Sequence, residues 1–264
     1  MALDSIDSDS DVIHEGSYIL LLYTRRSWLV KAEKDKIMHT HIGMIDVGNA
    51  IGKSYGSYIE SSLGKRVYLI RPSVYDVVMK SERRTQIVYP KDMGYIASRL
   101  GIGSGSTVLE VGLGSGALTT FLANIVKPNG HVYSYELRSE FIPIAKRNLG
   151  RLGLEEYVTI LNKDASKGID IKGVDAAVID MGEPWSVLSS VYDSLKGSAP
   201  LSAICPTMNQ LERLATALKA SNFTDLEFTE IMIRHIEARE GMSRPMFRMI
   251  GHTAYLAFAR KVYG

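Results

Sequence analysis

The stretch Val108-Leu109-Glu110-Val111-Gly112-Leu113-Gly114-Ser115-Gly116-Ala117 constrains the fold more than any other part of the chain. An apolar run ends in three alternate glycines and then passes into small residues. That order reads as a strand, a tight turn and the start of a helix, with glycine letting a ligand approach bare backbone. The flanking sequence says which kind of sheet receives it. From about residue 90 onward, apolar runs alternate with helix-period stretches. The candidate strands are 107–111, 131–137, 158–161, 174–180, 201–205, 225–236 and 252–260, with helices at 139–152, 185–195 and 208–220. Alternation of this sort predicts an α/β fold: a doubly wound, mostly parallel, seven-stranded Rossmann-like sheet with helices on both faces. Ligands bind such sheets at the carboxyl ends of the strands.

The region before residue 76 has a different texture. Tyr18–Tyr23, Trp28–Val30 and Val67–Ile70 are short β-branched and aromatic runs, punctuated by Gly43, Gly48, Gly52, Gly56 and Gly64. They predict a small β domain over 15–75, with a barrel as one arrangement. The division is then 1–14 as a flexible acidic tail, 15–75 as the β domain, and 76–264 as the α/β domain. With 264 residues and 45% hydrophobic content there is material for one large core and a small second one. A net charge of +2 does not by itself argue for nucleic acid. Basic residues do cluster locally, at Arg25, Arg26, Lys31, Lys34 and Lys36, then at Lys65, Arg66, Arg71, Lys80, Arg83, Arg84 and Lys91. Glu33, Asp35 and Glu82 interleave, so a solvated mixed-charge face explains them equally well. The single cysteine, Cys205, excludes an intrachain disulfide and suits a reducing compartment. No apolar run is long enough to span a bilayer, and the N-terminus lacks the form of a secretory signal. The expectation is a soluble, cytoplasmic protein.

The glycine loop alone leaves the ligand open. Gly112, Gly114 and Ala117 also satisfy the dinucleotide pattern, which keeps a nicotinamide-dependent oxidoreductase in view. The acids tilt the choice. Glu110 precedes the first glycine, where a carboxylate would face a cationic ligand or hold the loop, and where it would oppose a pyrophosphate. Glu136 ends the next strand and could accept both hydroxyls of a ribose, whichever cofactor carries it. Asp164 ends the third and could bond an adenine amino group. Asp180 ends the fourth, facing the crevice or capping the helix near Trp185. Acids after four successive strands fit a methyltransferase better than a nicotinamide site. His39, His41 and Cys205 show no metal-ligand spacing, and no metal is expected. His252 reads as structural more readily than as catalytic.

Taken in order, Arg84-Thr85-Gln86-Ile87-Val88-Tyr89-Pro90-Lys91-Asp92, the glycine loop through Thr119, Tyr135-Glu136, Asp164, Asp180 with Glu183-Pro184-Trp185, Pro206 with Gln210, and Gly251-His252-Thr253-Ala254-Tyr255-Leu256 resemble the tRNA adenine-58 N1-methyltransferases of archaeal and bacterial type. The Tyr-Pro-Lys-Asp and Gly-His-Thr-Ala-Tyr segments are the specific part of the match, which spans about residues 15–262. The resemblance implies methyl transfer from S-adenosylmethionine to N1 of adenine 58 in the tRNA T-loop, and it leaves open whether the adjacent adenine is also a target. It implies that Gly112, Leu113, Gly114, Ser115, Gly116 and Ala117 wrap the methionine part of the cofactor. Glu136 would hold its ribose and Asp164 its adenine, Leu137 and Ala165 would also belong to the cofactor site, and Gln86 would lie near the cofactor. Asp180 would be the main catalytic residue, also against the cofactor, and Tyr89 would lie at the target base. A small N-terminal β-barrel and a homotetramer are implied as well.

Two departures stand out. Met181-Gly182 occupies a stretch where the family often has Pro or Leu, and Ile204 sits where an aromatic is common. The RNA backbone would fall to the basic residues above and to Arg234, Arg239, Arg244 and Arg248. A non-catalytic RNA-binding subunit on the same fold is the other alternative. Such a subunit would be expected to lack the loop or Asp180, and this chain has both.

Overall fold

The computed structural model describes residues 10–84 and 86–264. Chain contacts divide it into a first unit ending at Ser81, joined by Arg151–Gly153, and a second of Glu82–Gly150 and Leu154–Gly264.

The first unit contains β1 (Tyr18–Tyr23), β2 (Arg26–Lys31), β3 (Ile37–Thr40), β4 (Gly43–Asp46), β5 (Tyr58–Glu60), β6 (Arg66–Ile70) and the short helix α1 (Val74–Lys80). Four strands form an antiparallel sheet in the order β2-β1-β6-β5, and β3 and β4 make a separate hairpin. The ladders among the described residues therefore give a sheet plus a hairpin where the sequence suggested a barrel. Alternation explains the sheet. Ile19 and Leu21 of β1, Val30 of β2, Ile59 of β5, and Val67 and Leu69 of β6 turn inward and pack with Ile45 and Val47. Much of the expected acidic tail lies outside the described residues. From Ser10 onward the chain is tied in: Ile13 is fully buried and exchanges backbone hydrogen bonds with Lys53 and Gly52.

The second unit contains α2 (Pro90–Leu100), β7 (Thr107–Val111), α3 (Ala117–Val126), β8 (His131–Tyr135), α4 (Ile142–Gly150), β9 (Val158–Leu161), β10 (Ala176–Ile179), α5 (Leu188–Ser194), β11 (Pro200–Cys205), α6 (Met208–Lys219), β12 (Phe223–Glu230), the two-residue strands β13 (Ile236–Glu237) and β14 (Arg244–Pro245), and β15 (Tyr255–Lys261). Its seven-stranded sheet runs β12-β15-β11-β10-β7-β8-β9. β9, β8, β7, β10 and β11 are parallel, and β15 inserts antiparallel between β11 and β12. The central strand β10 is buried at every position, which is why it reads as a continuous apolar run with no alternation. The strand expected over 225–236 stops at Glu230, and the segment after it leaves the sheet to form the β13–β14 hairpin. Three helices, α1, α2 and α3, were not delimited from sequence.

The two most specific sequence segments meet in this unit. Pro90 sits at the first position of α2, where its missing N–H costs nothing. The next two residues, Lys91 and Asp92, point inward. Lys91 Nζ donates to Asp92 Oδ1 at 2.7 Å and to Thr253 Oγ1 at 2.6 Å, and Thr253 Oγ1 donates to Asp92 Oδ2 at 2.8 Å. Beside them His252 spans Glu230 Oε1 (2.7 Å from Nδ1) and the Pro206 carbonyl (2.8 Å from Nε2). Both partners are acceptors, so the ring fills both bonds only when doubly protonated, and the Glu230 contact raises its pKa. His252 is thus a structural clamp between β11, β12 and the start of β15. Lys91 cannot serve RNA backbone as the sequence suggested, because its side chain is 10% exposed and already paired.

Asp92 is fully buried, so removing it strands the Lys91 ammonium without a counter-charge. Asp92→Ala should destabilise the protein by about 3–5 kcal/mol, measured by urea unfolding. Replacing Lys91 and Asp92 together by apolar residues should cost clearly less.

Candidate active site

Strand tips build the site. The β7 tip is locked to its neighbours by backbone: the Gly112 and Leu113 N–H groups donate to the Tyr135 carbonyl, and the Asp180 N–H donates to the Val111 carbonyl. Gly112 adopts φ of 106°, and a Cβ there would lie 1.9 Å from the Asp180 carbonyl oxygen. Only glycine lets the tips of β7 and β10 touch. Gly116, at φ 76°, caps α3, and its missing Cβ makes room for Ala145 of α4.

Around these tips lies a crevice of about 460 Å³. Gln86, Gly112, Leu113, Gly114, Ser115, Ala117, Glu136, Leu137, Asp164, Ala165 and Asp180 all line it, as the sequence reading expected. Gly116 and Tyr89 do not line it. Gly116 acts behind the loop, and half-buried Tyr89 is the residue before the first turn of α2. Ile87, Val88, Val111, Leu118, Tyr135, Arg138, Lys163, Met181, Gly182 and Pro206 complete the wall. Sequence reasoning missed Arg138 and Lys163, which are rim cations on loops where no periodicity marks a functional side. It also left the role of Gln210 open. Gln210 forms a capping box with Thr207 at the start of α6 and donates from Nε2 to the Gly182 carbonyl at 2.9 Å, fixing the segment after Asp180.

The acids divide into distinct jobs. Glu110 does not face the crevice. It is fully buried, and its Oε2 accepts from Thr119 of α3 at 2.6 Å and from Ser134 of β8. Its Oε1 has no partner. Burial pushes its pKa up to about 8 despite those two bonds, so it is largely a neutral carboxylic acid pinning α3 to the sheet. Glu136 is 5% exposed and accepts from the Gly114 N–H at 2.9 Å and the Arg138 N–H at 2.8 Å, which shapes the glycine loop. Asp164 caps its own turn through Ser166, and those bonds hold its pKa below the ordinary value. Asp180 makes no such bond in the described structure. Desolvation in the crevice, and secondarily the Glu136 charge, push its pKa up to about 7.

This donor set discriminates between ligands. Glu136, Asp164 and Asp180 crowd one cavity, and a pyrophosphate there would face three carboxylates. A cationic ligand bearing hydroxyl and amino donors would relieve the repulsion between Glu136 and Asp180 and offer hydrogen bonds to all three carboxylates. Ile204 is buried in the sheet and offers no stacking surface. Among the described residues no three His, Cys, Asp or Glu side chains converge as a metal site, and no helix is long and apolar enough to cross a membrane.

Comparison with known proteins agrees with the geometry. A family model described as the tRNA methyltransferase complex GCD14 subunit matches residues 65–242. The chain is 33% identical to the tRNA (adenine(57)-N(1)/adenine(58)-N(1))-methyltransferase TrmI of Methanocaldococcus jannaschii, over 92% of this chain and 95% of that protein. A solved SAM-dependent O-methyltransferase from Thermotoga maritima superposes with a TM-score of 0.93 at 38% identity, covering 98% of each chain. The tRNA (m1A58) methyltransferase TrmI from Aquifex aeolicus superposes with a TM-score of 0.85 at 33% identity, covering 96% of this chain and 100% of that one.

The raised Asp180 pKa makes a prediction about stability. Folding lifts this carboxyl from 3.8 to about 7, so the folded chain holds the proton more tightly than the unfolded chain. The resulting stabilisation is fully present below the unfolded pKa and is lost as pH rises through the folded one. Asp180→Asn, neutral throughout, should therefore melt close to the wild type near pH 5. It should melt about a few degrees higher near pH 8, by calorimetry of the ligand-free protein.

Proposed function

The chain belongs to the tRNA (adenine-58-N1)-methyltransferase family, and from that premise we propose that it transfers a methyl group from S-adenosylmethionine to N1 of adenine 58 in tRNA, with the adjacent adenine as a second target. The observation that carries the proposal is the cluster of Glu136, Asp164 and Asp180 around the glycine loop at the strand tips.

S-adenosylmethionine, when bound, would supply an electrophilic methyl from its sulfonium, the S–CH3 bond breaking to release a neutral thioether. The residues of the chain do the rest. The loop from Gly112 to Ala117 offers bare backbone to the methionine portion. Glu136 would accept from the ribose hydroxyls with the lone pairs its loop contacts leave free, Asp164 would receive the adenine, and Leu137 and Ala165 would complete the cofactor site. Gln86 closes the crevice from the segment before α2. Adenine N1 already has a lone pair, so no strong base is needed to create the nucleophile. As the bond forms the base becomes cationic, and Asp180, ionised and accepting from the exocyclic amino group, stabilises that charge more than it stabilises neutral adenine. Fixing N1 in line supplies a further share through proximity. The base must leave its stack to reach the crevice, at a cost of about a few kcal/mol. Tyr89, outside the crevice lining, is proposed to support it on the approach side.

A homotetramer is the proposed assembly, in the cytoplasm. Support comes from the segment around the β13–β14 hairpin, where Met232, Ile236, Met242, Phe247 and Ile250 are exposed, Phe247 by 84%. Side chains of this kind are rarely left in water without a partner. Light scattering should give four times the 29.2 kDa chain mass, and a monomer mass would refute it.

The Thermotoga relative is described as an O-methyltransferase, which makes the methylated atom the point to test. Incubation with unmodified tRNA and labelled S-adenosylmethionine, followed by nucleoside mapping, should yield 1-methyladenosine and no ribose methylation. Asp180→Ala should lower turnover by about 100-fold or more while tRNA binding persists. Near wild-type turnover would remove Asp180 from its role.

A further inference from the structure

The first unit holds a cavity of its own, about 440 Å³, with a lining opposite in character to that of the crevice. Its walls are Arg25, Arg26, Ser27, Trp28, Thr40, His41 and Lys80, with no carboxylate among them. It lies where the β1–β2 turn, the β3–β4 turn and the last residue of α1 converge. Several basic residues elsewhere have an acidic partner: Lys34 pairs with Glu15, Lys36 with Glu33, Lys91 with Asp92, and Arg239 and Arg244 with Glu237. Those around this cavity do not. Arg26 Nη1 donates to His41 Nδ1 at 3.3 Å, and Lys80 Nζ donates to the Ser27 carbonyl at 2.8 Å. Arginine has no acceptor, so His41 Nδ1 takes that hydrogen bond as an acceptor and its Nε2 carries the proton. Four donor groups with spare N–H bonds thus surround one space.

The backbone pays a cost to present them. Thr24, in the two-residue turn between Tyr23 and Arg26, sits at φ 51°, a conformation unfavourable for a β-branched residue. That strain places Arg25 at the turn tip and Arg26 beside His41. Such outliers concentrate where binding demands a fixed geometry. Trp28 adds an aromatic wall, with His41 at 6.0 Å from it, ring centre to ring centre. Cations interleaved with a half-buried indole match a phosphate with its attached nucleoside better than a bare anion.

We propose that this cavity is an RNA-backbone subsite: Arg25, Arg26 and Lys80 take a phosphate of the substrate tRNA, and the neighbouring nucleoside lies against Trp28. The inference rests on the tRNA reading above and names where part of the RNA is held.

The test uses the full chain carrying Trp185→Phe, so that Trp28 is the remaining one of the two tryptophans. Titration with unmodified tRNA should quench Trp28 emission. Arg26→Ala, Lys80→Ala and the exposed turn variant Arg25→Glu should each weaken tRNA binding about threefold or more. Each should also flatten the log–log salt slope by about 0.7–0.9. Arg26→Lys should recover part of the loss. Melting temperature and S-adenosylmethionine affinity serve as folding controls, and Arg25→Glu carries the test if the other variants fail them. If tRNA is methylated while Trp28 emission stays constant and the variants keep wild-type affinity and slope, the subsite is wrong and the functional reading stands. If the unaltered protein neither binds nor methylates tRNA, both fall.

Discussion

The contact between the tips of β7 and β10 is the constraint on which the site depends. Gly112 lies so close to the Asp180 carbonyl that any side chain at that position would occupy the same space. This approach lets the Asp180 N–H reach the Val111 carbonyl. It also turns the glycine loop toward Glu136, which accepts the Gly114 N–H. Replace the glycine and the acid at the end of β10 must move away from the loop. One missing methyl group therefore fixes both the shape of the crevice and the place of its most perturbed carboxylate.

Electrostatics gives that geometry its use. A carboxylate desolvated in the crevice beside the Glu136 charge is a poor arrangement for a protein without a ligand, and the raised Asp180 pKa expresses that cost. In the proposed function, the same cost would become affinity when a cation arrives, and transition-state stabilisation when an aromatic nitrogen acquires charge. Glu110 shows the contrasting solution. Buried beneath the loop and held by Thr119 and Ser134, it stays largely protonated and serves packing. Two acids on adjacent strands thus take opposite roles because one lines the crevice and the other is sealed beneath it.

Much of the fold was legible because parallel strands and their helices repeat a simple grammar. The apolar runs at β7, β8, β9, β10 and β11 fell where the sheet has them. The acids after β8, β9 and β10 (Glu136, Asp164 and Asp180) converge on the crevice because the topology of such sheets puts strand termini together. What failed to show was non-local. Lys91, Asp92 and Thr253 form one buried cluster from positions more than 160 residues apart, and no spacing within either segment reveals the partnership. The expected strand beyond Glu230 reads as apolar because Met232, Ile233 and Ile236 are apolar, yet they lie outside the sheet and exposed. Local hydrophobicity does not say what a segment packs against, and these residues do not join the chain's own core. The barrel expected from glycine-punctuated strands resolved into a sheet and a hairpin, since turn signals count strands without saying which edges pair.

The most direct test of the crevice as a cation site is a calorimetric titration with S-adenosylmethionine between about pH 6 and about pH 9, on the wild type and on Asp180→Asn. The expected result is an affinity ratio, wild type over variant, that climbs as pH passes through about 7, where Asp180 ionises. A ratio that stays flat across this range, or uptake of NAD in place of S-adenosylmethionine, would contradict it.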